Sequence, residues 1–444
     1  MFVAKKFAFS LLLFFLTTNF AFSQNTVHRF PSTSPLILKG LQYCCIGDTA
    51  GAGIEMKSRE WLLRNWSLVS NELVYVRPLS HSVGLEKGWY TDDTELSLGL
   101  LKALHKEKML HPDTVICSFL DAYDTFRDEN NGIGRGGYGS FGEVAQKENI
   151  NRLAEWKKII RERKYAPGNG ATMRILPTLL YAKENYPTET NVLLHNVIVQ
   201  TIATHNHTNA VLTSLAFIDT ANAIIEELIP FEKTIEYTLD FLTQGQKFDH
   251  TLPSMSQCFL VMQNLSNNYD IPLNGEFFED LEMFIQRLQI IDQLESPYDD
   301  IGSNMDSFID LIIDENWRGG QESGETGLAC RSPGTLFATL YCWKWSLKDF
   351  GRMANINEEE AYFSLMKRCI SFGGDVDTLL AYVIPVSFLR IEKIIGSDAT
   401  LPSWLIESCV ELDRLEERFM RSHTYSNYSH YTQSIHTPNI SDPE

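Results

Sequence analysis

Two helix starts in this chain carry more negative charge than buried helices ordinarily tolerate. The stretch TDDTELSLGLLKAL sets Asp92 and Asp93 before a run that is apolar on more than one side, through Leu96, Leu98, Leu100, Leu101 and Leu104. Near the other end, GGDVDTLLAYVIPVSF sets Asp375 and Asp377 before the still more apolar Leu379, Leu380, Ala381, Tyr382, Val383 and Ile384. Helices apolar all round belong to an interior, so both starts lie near ground where uncompensated carboxylates are costly. Asp and Thr are also favoured caps, and acids in a first turn gain from the helix dipole. Taken singly, TDDT reads first as a cap.

Taken together, the two stretches offer one set of hard oxygen ligands: Thr91, Asp92 and Asp93 in the first, Asp375, Asp377 and Thr378 in the second. If both starts converge, the charge of four aspartates meets in one place, and divalent cations are its natural neutraliser. Ligation by oxygen alone selects Mg²⁺ or Mn²⁺ over zinc, and four carboxylates suit two ions better than one. The glycines Gly373 and Gly374 permit close backbone approach just before Asp375.

The rest of the pattern predicts an all-α fold. In GEFFEDLEMFIQRLQIIDQL the apolar residues Phe277, Leu281, Phe284, Leu288 and Ile291 recur at helical spacing. Val211, Leu215, Ile218, Ile225 and Ile229 trace a second face, with Pro230 ending it. Alternating strand-like runs are scarce and no internal repeat is evident. One compact multi-helix domain is expected over residues 36–420, with QGQKFDHTLPSMSQ and ENWRGGQESGETG as surface loops and a polar, disordered tail over 421–444.

The first 23 residues join Lys5 and Lys6 to an apolar stretch and the small-residue site Ala21-Phe22-Ser23, the grammar of a secretory signal peptide. An exported, periplasmic or secreted protein is therefore expected, with no later segment long and apolar enough to span a bilayer. A formal charge of −19 disfavours nucleic acid and anionic lipid as partners. The eight cysteines lack the spacing of a disulfide scaffold or a CxxC zinc site. Export permits one or two disulfides, and the sequence assigns none.

Six signatures, the two acidic starts among them, fall in a particular order: GDTAGAGIE at 47–55, TDDT at 91–94, RGGYGSFG at 135–142, GNGATMR at 168–174, TH at 204–205 and GGDVDT at 373–378. Each has an ordinary reading as a turn, a loop or a cap. In this order they resemble the ADP-ribosylglycohydrolase family, the dinitrogenase-reductase-activating and ADP-ribosyl-acceptor hydrolases. The resemblance implies an all-α fold and a binuclear Mg²⁺ or Mn²⁺ centre held by Thr91, Asp92, Asp93, Asp375, Asp377 and Thr378, in agreement with the charge argument. Val376 stands where the family often has Thr, on a position alternating away from the ligands.

The resemblance further implies hydrolysis of the glycosidic bond between ADP-ribose C1″ and an acceptor, on an ADP-ribosylated protein or a small ADP-ribose conjugate, by a monomer. Glu55, on a segment over the cleft, or one of Asp92 and Asp93 would be the general base, and Asp48 would orient the ligands. Gly137, Gly139, Gly168, Asn169 and His205 would line the substrate pocket, with Phe141 reshaping its adenosine end. Arg174 is expected to tie neighbouring loops together through a carboxylate. Two rivals stand beside this reading: a non-catalytic ADP-ribose binder that keeps the fold, and a two-metal phosphoesterase. The second leaves the motif order unexplained.

Overall fold

The computed structural model of the protein describes residues 36–65, 88–129, 135, 138–164, 168–294, 327–346 and 365–395, and beyond them residues 406, 409, 411, 412 and 415. The expected signal peptide, the polar tail, Gly137 and residues 315–326 of the second expected loop lie outside them. In chain order the helices are α1 (Leu36–Ala52), α2 (Arg59–Arg64), α3 (Asp92–Lys106), α4 (Pro112–Glu129), α5 (Gly139–Ala145), α6 (Arg152–Glu162) and α7 (Leu176–Asn185). They continue as α8 (Thr190–Ile202), α9 (Thr208–Ile225), α10 (Thr234–Leu242), α11 (Met255–Tyr269), α12 (Phe277–Gln293), α13 (Ser332–Ser346) and α14 (Val376–Ile395). Residues 365–370 are also helical. Among the described residues there is no strand, only isolated bridges, so the fold is the expected single all-α domain.

The most extensive helix pairing joins α1 to α14, the two ends of the fold. Gly47 and Gly51 lie on one face of α1, four residues apart. A Cβ on Gly51 would fall 2.3 Å from the Asp377 Cα, and one on Gly47 2.4 Å from the Leu380 carbonyl oxygen. With no side chain at either place the two backbones touch, and this contact carries the start of α14 onto the C-terminal half of α1. Both helices are buried along most of their length, as their all-round apolar sequences require.

Helix α12 buries Phe277, Leu281, Phe284, Leu288 and Ile291, the expected stripe. Helix α9 departs from expectation in two ways. It is buried on every side, and it ends at Ile225 instead of running to Ile229. Glu227 turns into the left-handed region (φ 63°) while the Leu228 amide donates back to the Ala223 carbonyl. The turn that closes the helix thus uses Glu where glycine is usual, which left no mark in the sequence. Contrary to expectation, α9 is also long and apolar enough to cross a bilayer, although 94% of it is buried inside the fold.

The loop between α10 and α11 runs as expected over the surface, and it is pinned. Buried Asp219 on α9 accepts hydrogen bonds from the amides of Thr251 and Leu252, both to Oδ1. His250 bridges Asp219 (Nδ1, 2.9 Å) and Asp240 (Nε2, 3.1 Å). Burial opposes the imidazolium, but the hydrogen bonds and charges of Asp219 and Asp240 outweigh it and raise the His250 pKa. A raised folded value means that its stabilisation is fully present below the unfolded pKa of about 6.5 and is lost as pH rises through the folded value. His250→Gln should therefore cost about 1–2 kcal/mol at pH 5.5 and clearly less at pH 9. Urea unfolding of both proteins across that range measures the difference, and a pH-independent gap would contradict the charged bridge.

Candidate metal centre and substrate cleft

Asp48, near the end of α1, is the anchor of the site. Its carboxylate is fully buried and receives four donors from the start of α3. Thr91 donates its amide at 3.0 Å and its hydroxyl at 2.7 Å, and Thr94 its amide at 3.1 Å and its hydroxyl at 2.6 Å. Thr91, the residue that caps α3, makes no side-chain capping bond to that helix's backbone amides; Asp48 satisfies the amides of Thr91 and Thr94 from another helix. Burial raises the Asp48 pKa, and the bonds from Thr94 and Thr91 oppose the shift. With four donors on its oxygens, Asp48 holds the start of α3, where Asp92 and Asp93 lie. The Thr91 hydroxyl gives its hydrogen to Asp48 and keeps oxygen lone pairs for a cation.

The second acidic start is fixed by backbone. Gly373 and Gly374 adopt φ of 68° and 73°, where side chains are strained. A Cβ on Gly373 would meet the Arg59 nitrogen at 2.4 Å, and one on Gly374 the Leu328 oxygen at 2.1 Å. On one side the Met56 amide donates to the Gly374 carbonyl and the Gly374 amide to the Lys57 carbonyl, both at 2.7 Å. On the other, the Leu328 amide donates to Gly373 and the Asp375 amide to Leu328, both at 3.0 Å. Glu55, expected on a segment over the cleft, is thereby held beside Asp375 and Asp377.

Three of the four aspartates of the two acidic starts gather in overlapping groups with Asp48 and Glu55. One group comprises Asp48, Asp93 and Asp377 and another Glu55, Asp375 and Asp377, with one oxygen per residue within 4.8 Å of the others in each group. Asp377 belongs to both. Hydroxyls of Thr91 and Thr378 each lie 3.4 Å from Asp93 Oδ2, while Asp93 Oδ1 is buried with no hydrogen-bond partner. Asp92 lines the same cleft without joining either group. Asn169, expected to face substrate, donates its amide to Asp375 Oδ2 (2.5 Å) and Thr335 Oγ1 (3.0 Å).

Burial pushes Asp92, Asp93 and Asp377 well above the usual carboxylate range, each reinforced by neighbouring acids. Burial also pushes Glu55 up to about 8, with Asp375 and Asp48 adding to it. An orphaned buried carboxylate oxygen, hydroxyls with free lone pairs and two overlapping carboxylate groups fit oxygen-ligated divalent cations. Asp93, Asp377, Thr91 and Thr378 would hold one ion, and Glu55, Asp375 and Asp377 a second.

The acids line a cleft of about 850 Å³, including its open mouth. Aromatic and basic residues line the same cleft: Phe119, Tyr138, Phe141, Trp156, Arg163 and Arg174, with Gly139, Gly168, Asn169 and His205. Phe141 packs edge-on against Trp156 and Phe119. His205 takes a hydrogen-bonding contact to Thr204 Oγ1, and its ring lies against Gly168 and Gly170, where a Cβ would approach within 3.2 Å. Burial, then Arg174 and Arg163, lower its pKa, so the imidazole is neutral. Arg174 departs from expectation: its described hydrogen bonds go to Gln200 and to Thr204 Oγ1, not to a carboxylate. Sequence reasoning also missed Arg135, which is buried, forms a two-pronged pair with Glu411 at 2.7 Å, and sits over the rings of Phe126 and Tyr90. The motif was legible, but its partner lies far away at the end of the fold.

A family model described as ADP-ribosylglycohydrolase matches residues 40–383. With the helical fold and the converging acids, that match defines the class, and the chain belongs to the ADP-ribosylglycohydrolase family. None of the curated proteins compared matches it.

The acids make a testable demand. Because their folded pKa values are raised, the metal-free folded protein binds more protons than the unfolded chain between about pH 4 and the raised values, so its stability falls as pH climbs through that window. Cations that replace those protons should stabilise more at pH 8 than at pH 5.5. Thermal melts in EDTA and in Mg²⁺ or Mn²⁺ at the two pH values check this. Equal metal-induced shifts would contradict it.

Proposed function

We propose that this protein hydrolyses the glycosidic bond between C1″ of ADP-ribose and an acceptor, either on an ADP-ribosylated protein or in a small ADP-ribose conjugate. The observation that carries the reading is the convergence of Glu55, Asp93, Asp375 and Asp377 in a cleft that aromatic and basic side chains also line. A conjugate with a ribose, a diphosphate and an adenine offers a group to each kind of lining. Two Mg²⁺ or Mn²⁺ ions held by the acids would supply Lewis-acid polarisation at the distal ribose and at the attacking water.

The chain's own groups divide the remaining work. Among the acids of the centre, Glu55 is half-buried while Asp92, Asp93, Asp375 and Asp377 are buried. Glu55 is thus the carboxylate that reaches solvent and can take the proton from water as it attacks C1″. Asp92 and Asp93 present negative charge to the positive charge that develops on the sugar. Asp48 and Asn169 hold their neighbours in place. Arg163 and the turn at Gly168–Gly170 face the diphosphate, and Tyr138, Phe141 and Trp156 offer a stacking wall to the adenine. The N-terminal sequence supports export, so the substrate would be met outside the cytoplasm by a monomeric enzyme.

Peptides ADP-ribosylated on arginine or serine, and small conjugates, should release ADP-ribose with Mg²⁺ or Mn²⁺ and not with EDTA. Asp377→Asn should lower turnover by more than about 100-fold, and Asn169→Ala should weaken metal affinity by about 10–100-fold. Release of AMP in place of ADP-ribose would favour the phosphoesterase, and tight ADP-ribose binding without turnover would favour the non-catalytic binder.

A further inference from the structure

Four of the eight cysteines meet in two buried pairs that no motif announced. Cys45 Sγ lies 3.2 Å from Cys409 Sγ, across a sequence separation of 364 residues, and Cys369 Sγ lies 3.6 Å from Cys342 Sγ, across 27. All four side chains are buried. The other thiols face different groups: Cys44 faces the Ser97 hydroxyl, Cys258 the Pro253 carbonyl and Cys330 the Met56 sulfur, while Cys117 is half-buried on α4. A disulfide needs its sulfurs at about 2.05 Å, so each pair is roughly 1–1.5 Å from bonding distance, within reach of small side-chain rotations.

We infer that Cys45 bonds to Cys409, and Cys342 to Cys369, when this chain folds in an oxidising compartment. The pairing is independent of the hydrolase reading, and the compartment rests on the N-terminal expectation of export. Each bond would staple a segment that feeds the acid centre. Cys45 lies one turn before Asp48 on α1, and Cys409 lies beside Glu411, the partner of Arg135. Cys369 lies in the last turn of the helical stretch 365–370 that leads into Gly373 and Asp375, and Cys342 is on α13. In each step two thiols lose two protons and two electrons to a disulfide carrier, such as oxidised glutathione or an oxidoreductase in its disulfide form. The carrier leaves reduced, as two molecules of glutathione or as the oxidoreductase dithiol. Burial, then the neighbouring sulfur, raises the Cys45 and Cys369 thiols far above the ordinary value, which disfavours the reactive thiolate once the core has closed.

The test has two arms. In the first, the full chain is expressed with its N-terminal segment and recovered from an oxidising compartment. In the second, the denatured, reduced chain is refolded with oxidised and reduced glutathione. Free thiols are then alkylated under denaturing conditions, and peptides are mapped by mass spectrometry without reduction. The expected map shows two cross-links, 45–409 and 342–369, with Cys44, Cys117, Cys258 and Cys330 alkylated. Reduction under denaturing conditions should remove both and lower Tm by about 5 °C. Cys45→Ser, Cys409→Ser and the double variant should show equal losses. Eight alkylated cysteines in both arms, or cross-links joining other pairs such as 44–409, would overturn the assignment. Cross-links in the refolded arm alone would support the pairing and overturn the oxidising compartment.

Discussion

The carboxylate of Asp48 is the point on which the rest of the site depends. Four donors from Thr91 and Thr94 converge on it, so a single buried acid on α1 caps α3 from outside and fixes its rotation. That rotation decides where Asp92 and Asp93 point. Donors to a carboxylate are among the stronger hydrogen bonds a fold can make, and an Asp48 left without them would be a bare buried charge. The Gly51 contact then sets the start of α14 against the same helix. Three helix segments far apart in sequence thus share one reference frame, with α1 as the common member.

This frame has a consequence for the charges it gathers. Packing carboxylates into buried ground opposes folding, and ordering the glycines at 373 and 374 adds an entropic cost. The fold offsets it with the breadth of the α1–α14 contact and with backbone bonds that grip the glycines from two sides. Arg135 resolves a similar conflict in another way, placing a cation between Glu411 and aromatic faces. In both places the charge is held in position first and compensated second, as a binding site requires.

What was legible in the sequence followed from local rules. The α12 stripe could be read because its one apolar face obeys the helical period, and the acidic starts stood out because they conflict with the apolar runs behind them. Asp375 and Asp93 could be joined by argument because their charges have no other compensation in a buried setting. The missed features are long-range or conformational. Glu227 in a left-handed turn has no signature, because the tertiary frame imposes it. The Arg135–Glu411 pair spans most of the chain, and Arg174 finds carbonyl and hydroxyl acceptors where charge alone suggested an acid. Asn169 lines the cleft, and its bonds to Asp375 and Thr335 are long-range contacts that no local rule predicts.

The order of the ligands along the chain carries a consequence in time. Asp48 and Asp93 are made early, but Asp375 and Asp377 leave the ribosome only after most of the polypeptide has been synthesised. A half-made chain therefore has no complete cage in which to trap an ion. Completion of the acid cluster must wait for long-distance closure of α14 against α1, a pairing of high sequence separation that forms slowly. Any ion the cluster takes up would come from the compartment that hosts that closure, and so would record where folding ended.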